Sequence, residues 1–252
     1  MNKNHFFFGY AGNKRNEFNN AYEEFKKIKD ITTIYEPYCG TSAFSYFLSR
    51  KEPMKYKYIL NDNNKQLIEL YKLAQDEVKL NAVIETLNGY LIGLNKEKYL
   101  KLIKEDTIEG FILKNKVYTI RAGLFPLDCK KIIKDFSYLR TCPIVEFLRT
   151  EDITLTNKTV GEIKDEYNNN ETFVFLDPPY LNECNDFYQQ TGLNIYEYLS
   201  NNSINNFKSK ILLIVADNWI IRLIFKNDIK SSYQKIYECS KKKINHLTIT
   251  NF

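Results

Sequence analysis

Two kinds of hydrophobic patterning alternate along the chain. Ile31–Tyr35 and Tyr56–Leu60 carry β-branched and aromatic residues in the short runs expected of strands, the second alternating at period two. Each runs into a polar turn and then a helix-spaced segment, Ala43 to about Arg50 after the first, and Leu67, Ile68, Leu70, Tyr71 and Ala74 after the second. Asn63 or Asn64 is placed to cap that second helix. A further helix is expected over Phe18–Lys29. Strand, turn, helix, taken twice, predicts a parallel α/β sheet. From residue 77 to about 106 the pattern is helical throughout, with Val78, Ile84, Leu87, Leu91, Leu94, Tyr99, Leu102 and Ile103. Gly110–Pro126 holds two short β-like runs around Lys114-Asn-Lys116 and predicts a hairpin. Helix is expected again from Cys129 to Leu139 and after Pro143, a residue suited to a first helical turn. The α/β pattern then resumes with Ile153–Thr156, Thr172–Asp177 and Ile211–Ala216, the last a continuous apolar run that suits a strand buried on both faces. Trp219–Phe225 reads as a helix and Ile244–Thr250 as a closing strand. The expected organisation is an α/β domain split into residues 1–76 and 152–252, with residues 77–151 inserted as a mostly helical module containing a hairpin.

Composition narrows the classes. Of 252 residues, 28 are Asn, 30 Lys and 27 Ile, a bias more easily traced to an AT-rich gene than to function. With 44% hydrophobic and 15% aromatic residues the chain can form a sizeable core, which excludes disorder for its bulk. No apolar run approaches the roughly 20 residues that cross a bilayer. The three phenylalanines at Phe6–Phe8 are too few for the apolar core of a signal peptide. Five scattered cysteines (Cys39, Cys129, Cys142, Cys184, Cys239) argue against a disulfide scaffold and against zinc, so an intracellular protein without a metal is expected. Two histidines, His5 and His246, make a His base an improbable centre of the chemistry. The net charge is +5, and residues 79–149 alone carry 13 Lys/Arg against 8 Asp/Glu, the same +5. The inserted module is therefore the basic one, and a polyanion is its expected partner.

Three turns carry candidate chemistry. Asp177-Pro178-Pro179-Tyr180 leaves the end of a strand, where open α/β sheets bind ligands. It offers a carboxylate, a carbonyl with no amide hydrogen beside it and an aromatic face, all on a stiffened backbone. Two acceptors beside a stacking surface suit a planar ring bearing an NH2 group. Glu36-Pro37-Tyr38-Cys39-Gly40 follows the first strand. Gly40 permits close backbone approach to a ligand, and the Tyr38 ring suits a cation such as a sulfonium. Asp62, one strand later, is placed to hold two ribose hydroxyls. Tyr10-Ala-Gly12-Asn-Lys14 is a third glycine turn, ahead of the first helix.

In this order the motifs resemble the Dam-like DNA adenine-N6 methyltransferases. Tyr10-Ala-Gly12-Asn-Lys14 is similar to that family's N-terminal element and Glu36–Gly40 to its cofactor turn. Leu60-Asn61-Asp62-Asn63-Asn64 resembles its next motif, and Asp177–Tyr180 matches its catalytic tetrapeptide without change. The end of the chain, Ser240–Phe252, is similar to the family's basic loop and final strand. Ser42 stands where the usual turn has a second glycine, and the insert carries no recognisable recognition residues.

The resemblance implies a Rossmann-like methyltransferase sheet with helices on both faces and a target-recognition insert. It implies S-adenosylmethionine as cofactor, S-adenosylhomocysteine as product and no metal. Tyr10, Lys14, Glu36, Tyr38, Gly40, Asp62 and Asp177 are then the cofactor-binding candidates, and Asp177, Pro178, Pro179 and Tyr180 the catalytic ones. Base flipping follows, because the attacked amine lies inside the duplex stack; the loop holding Phe187 and Tyr188 is a candidate cover for the flipped base. For DNA the candidates are Lys114, Lys116, Tyr118 and Arg121 in the expected hairpin, with Tyr188, Lys241, Lys242 and Lys243; the lysines suit phosphates and Arg121 a guanine edge. Double-stranded DNA is the implied partner and no membrane is involved. The chain is expected to act as a monomer or a transient dimer on DNA, with a restriction endonuclease as a further partner, in a microbial cytoplasm or a virus-infected cell. Two other readings stay open at this stage: an RNA adenine methyltransferase, and a non-catalytic DNA-binding subunit on the same fold.

Overall fold

In the computed structural model, which describes residues 5–8, 18–117, 135–158, 167–178, 203–236 and 243–252, the chain divides into two compact units. One comprises Lys14–Asn63 and Asp152–Phe252, the other Met1–Asn13 and Asn64–Glu151.

The first unit is built on a seven-stranded sheet. Its strands are β1 (Thr33–Glu36), β2 (Lys57–Asn61), β3 (Asp152–Thr156), β4 (Thr172–Leu176), β5 (Lys210–Ala216), β6 (Ile229–Ile236) and β7 (Lys243–Thr250), in the spatial order β3-β2-β1-β4-β5-β7-β6. The five strands from β3 to β5 run parallel; β7 pairs antiparallel with β5 and with β6. The α/β expectation is met, in a sheet that is mixed but mostly parallel.

Alternation along β4 shows how both faces are covered. Phe173 and Phe175 point to one side, where α1 (Phe18–Phe25) and α2 (Ala43–Lys51) meet them. The ring of Phe44 stacks on Phe175 at 4.3 Å and Phe25 meets Phe173 edge-on at 4.8 Å. Val174 and Leu176 point the other way, into a core with Ile211, Leu213, Val215, Leu247 and Ile249. That core is closed by Ile221 of α8 (Trp219–Ile224) and by Phe225.

The second unit is helical: α3 (Lys65–Gln75), α4 (Glu77–Leu91), α5 (Lys96–Leu102), α6 (Ile108–Val117) and α7 (Pro143–Thr150). The Phe6–Phe8 patch belongs to its core, with Phe6 edge-on to Tyr71 at 5.9 Å and Phe8 edge-on to Phe111 at 5.8 Å. Asn64 rather than Asn63 caps α3, its side chain accepting from the Leu67 amide at 3.1 Å.

Three expectations are corrected, and one strand is added. The hairpin around Lys114-Asn-Lys116 is not formed, because Ile108–Val117 is helix. Phe111, Ile112 and Leu113 are buried as consecutive helical positions, and the Thr107 hydroxyl accepts from the Gly110 amide in the first turn. Gly110 is required there: a Cβ would stand 2.5 Å from the Leu102 carbonyl oxygen. The helical pattern expected throughout 77–106 is interrupted between α4 and α5, where Gly93 takes φ +64° and Asn95 caps α5 by accepting from the Lys98 amide. Within the described part of the helix expected over 129–139, the chain instead forms a 3-10 turn at Ser137–Thr141. Finally, β6 was not foreseen. Its residues, Ile-Lys-Ser-Ser-Tyr-Gln-Lys-Ile, are too polar for a buried strand, and β6 lies at the end of the strand order, where one neighbour suffices. No helix among the described residues is long and apolar enough to cross a membrane.

Candidate active site

Strand order reverses between β1 and β4: the chain winds outward from β1 through β2 to β3, and from β4 to β5 on the other side. At such a switch point the loops leaving neighbouring strands diverge and open a crevice at the carboxyl edge. The loops that leave here are Glu36–Ser42 from β1 and Asp177-Pro178 from β4, with Asp62 following β2 beside them. Sequence motifs more than a hundred residues apart are thereby brought to one edge of one sheet.

The turn after β1 is tightly held. Gly40 takes φ +46° and its amide donates to Asp62 Oδ2 at 3.0 Å, so the turn is fastened to the carboxylate at the end of β2. Ser42, in place of the second glycine, also sits in the left-handed region at φ +48° and is fully buried. A side chain costs about 1–2 kcal/mol in that conformation. The amide of Ser42 donates to the Cys39 carbonyl at 2.6 Å, and its own carbonyl receives the Tyr46 amide of the first turn of α2. The Tyr38 ring lies partly buried against the apolar core beneath the sheet. Burial, and after it the neighbouring Asp62 charge, raises the Tyr38 hydroxyl above the ordinary tyrosine range. The Cys39 thiol is pushed well up by burial, with Asp62 and Glu36 adding to the effect, so it stays neutral.

Glu36 is 2% exposed. Its Oε1 accepts from the Ser45 amide at 2.7 Å and from the Ser45 hydroxyl, which ties β1 to the first turn of α2. Burial pushes its carboxyl up to about 8; the two bonds from Ser45 oppose this rise and the charge of Asp177 adds to it. Asp177 is therefore close enough to sense Glu36 electrostatically. Asp177 is half-buried and Pro178 buried.

Of the sequence candidates, Glu36, Tyr38, Gly40, Asp62, Asp177 and Pro178 thus share the carboxyl edge. Lys243, exposed at the start of antiparallel β7, reaches the same edge through the pairing of Ala216 with His246. Lys114 is exposed on α6 in the helical unit; Lys116 lies in that helix, its side chain outside the described residues. Tyr10, Lys14, Tyr118, Arg121, Pro179, Tyr180, Phe187, Tyr188, Lys241 and Lys242 lie outside the described residues. Two participants went unassigned in the sequence, Ser45 and Asn61. The signal for Asn61 was present: a polar residue ending a strand whose last four positions are all buried.

Comparison with known proteins gives a reaction class. Residues 10–127 match the model of the D12 class N6 adenine-specific DNA methyltransferases. Over that stretch the chain is similar to this family. A type II methyltransferase of Paramecium bursaria Chlorella virus NC1A, M.CviBI, is 24% identical over 222 residues, which cover 82% of this chain and 82% of its own. The type II methyltransferase M.MjaIII of Methanocaldococcus jannaschii is 27% identical over 214 residues, 73% of each chain. Adenine-specific DNA methylation is accordingly the reaction class, and the motif-based expectation of it from the sequence stands.

Proposed function

We propose that the chain methylates the exocyclic amine of an adenine flipped out of double-stranded DNA, at a specific sequence, with S-adenosylmethionine as methyl donor. The observation that carries this reading is the bond from the Gly40 amide to Asp62 Oδ2 at 3.0 Å beside the switch point, next to the strand end that bears Asp177-Pro178.

The donors and acceptors at the edge fit the cofactor. S-adenosylmethionine supplies an electrophilic methyl group on a sulfonium when bound. Asp62, with one oxygen already aligned by Gly40, accepts from ribose hydroxyls, and the Tyr38 ring offers its face to the cation. Gly40 lets the backbone approach closely. Glu36 supports the turn from behind through Ser45, and Tyr10 and Lys14 complete the cofactor side. On the substrate side, the Asp177 carboxylate and the Pro178 carbonyl each accept one hydrogen of the adenine amine. They draw that nitrogen towards a tetrahedral geometry and localise its lone pair, which in free adenine is delocalised into the ring. Asp177 is also the acceptor for the proton that the nitrogen sheds. Positioning and electrostatics thus supply the acceleration, without a His base. Tyr180 stacks on the flipped base, and Tyr188 lies in the segment that covers it.

Lys114, Lys116, Tyr118 and Arg121 of the helical module, with Lys241, Lys242 and Lys243, make the phosphate and base contacts. The likeness to two type II methyltransferases supports sequence-specific action paired with a restriction endonuclease, in a microbial or virus-infected cell. Incubation with methyl-labelled S-adenosylmethionine and unmethylated genomic DNA, followed by nucleoside analysis, is expected to give N6-methyladenine at a recurrent sequence. Label confined to cytosine, or found only when RNA is supplied, would overturn the proposal.

A further inference from the structure

Asn61 ends β2 and is 1% exposed, and its side chain bonds simultaneously to the segments leaving β1 and β3. Nδ2 donates to the Pro37 carbonyl at 3.0 Å and to the Lys158 carbonyl at 2.9 Å. Oδ1 accepts from the Thr156 hydroxyl at 2.8 Å and from the Lys158 amide at 2.8 Å. Two donors and two lone pairs are all that a carboxamide has, so every capacity is used. Its main chain joins in, since the Asn61 carbonyl accepts from the Cys39 amide at 2.8 Å. Tyr38 is therefore gripped on both flanks by one residue, and the next residue along is Asp62, which grips Gly40.

We infer that Asn61 is a positioning residue for the cofactor pocket: it sets the Tyr38–Gly40 turn and the β3 exit at fixed places relative to the Asp62 carboxylate. The inference rests on the function proposed above and extends it to a residue that touches none of the reacting atoms. A carboxamide is required. An aspartate has nearly the same shape and keeps the acceptor side, but it would set a charge against the Pro37 and Lys158 carbonyls and lose both donors. No other uncharged side chain of that length offers two donors and two acceptors from one plane.

Asn61→Asp, with Thr156→Val as a milder variant that deletes a single bond, tests this. For Asn61→Asp the Kd for S-adenosylmethionine by calorimetry is expected to rise about tenfold or more, as losing buried bonds does. The KM for the cofactor should rise with it, while kcat at saturating cofactor and the affinity for DNA stay near wild type. Thr156→Val should shift cofactor affinity in the same direction by a smaller factor, with its fold retained. Both variants are compared below their thermal transitions. A merely structural role would lower the Tm and leave cofactor affinity unchanged below it; that result in Thr156→Val, or in a folded Asn61→Asp, would overturn the inference. If the wild-type protein itself fails to bind S-adenosylmethionine, the proposed function falls first and this inference with it.

Discussion

At the carboxyl edge of the sheet Asn61 ties the exits of β1, β2 and β3 together; at the amino edge Asn251 does the equivalent work, its Nδ2 donating to the carbonyls of Ser209 at 2.9 Å and Ile204 at 3.2 Å and its Oδ1 accepting from the Ile211 amide at 2.8 Å. Asn168 adds to that amino edge by accepting from the Lys208 and Ser209 amides. The same residue type performs the same local task, and what differs is the company. Around Asn61 stand Glu36, Asp62 and Asp177, carboxylates held half-buried or buried beside a strand-order reversal. Beside Asn251 a cleft lined by Phe252 is mostly basic, with Lys27, Lys29, Lys210 and Lys230 and a single acidic side chain, Glu24, that is ion-paired to Lys27 at 2.6 Å. A fastening asparagine is therefore not a mark of function by itself. It becomes one where it fixes the distances among groups that are costly to desolvate.

The comparison can be broken most severely at Asp177. Asp177→Ala is expected to lower kcat for methyl transfer by about 10²–10³-fold or more, the scale of losing one preorganised polar partner, with the Tm near wild type. Undiminished incorporation of label would remove the carboxyl edge from the chemistry. Next comes Asp62→Ala, for which calorimetry should show cofactor affinity weakened about 10–100-fold, the cost of one or two bonds to a charged group. An unchanged Kd would dissolve the link between the Gly40 turn and the cofactor. Asn251→Ala sharpens the contrast from the other edge. It should cost about 1–3 kcal/mol of stability in a denaturant titration, by leaving buried backbone groups unpaired, while the cofactor Kd does not move. A change in affinity there would mean that the two edges are not separable.

The remaining test concerns Glu36. Its carboxyl is raised in the folded protein to about 8, against roughly 4.3 in an unfolded chain, so the folded state holds the extra proton between those values. The stabilising contribution is fully present below about pH 4.3 and is lost as pH rises towards 8, with a slope of at most ~1.4 kcal/mol per pH unit. Thermal melts across pH 5–8 should show this decline in the wild type. Glu36→Gln keeps an acceptor for Ser45 and should flatten it; an identical pH profile would show that Glu36 is ionised in the folded state.

Local pattern carried a good deal of this. The period of two in Tyr56–Leu60 and the apolar run of Ile211–Ala216 mark β2 and β5, because a strand's own residues decide whether it can lie between two covered faces. Asp62 and Asp177 were legible as strand-end carboxylates for the same reason. The misreadings have a common cause. The short β-like runs of Gly110–Pro126 suggest a hairpin turning at Lys114-Asn-Lys116, whereas the close approach of Gly110 to Leu102 of α5 and the Thr107 cap go with helix over Ile108–Val117. The polar β6 was invisible because its only qualification is the presence of β7 beside it.

What the chain's sequence determined by itself is the order of strand, turn and helix in its sheet unit, and the identity of the groups at the strand ends. Those follow from side-chain periodicity and from which residues tolerate a turn. Tertiary structure alone decided that β4 lies next to β1, so that Asp177 comes to the same edge as Gly40 and Asp62. It also decided that Asn61 closes on Lys158, 97 residues away, and that Glu36 lies where water cannot support its charge. The physical reason is that hydrogen-bond saturation and desolvation are properties of a surrounding shell, and here that shell is drawn from parts of the chain remote from one another in sequence.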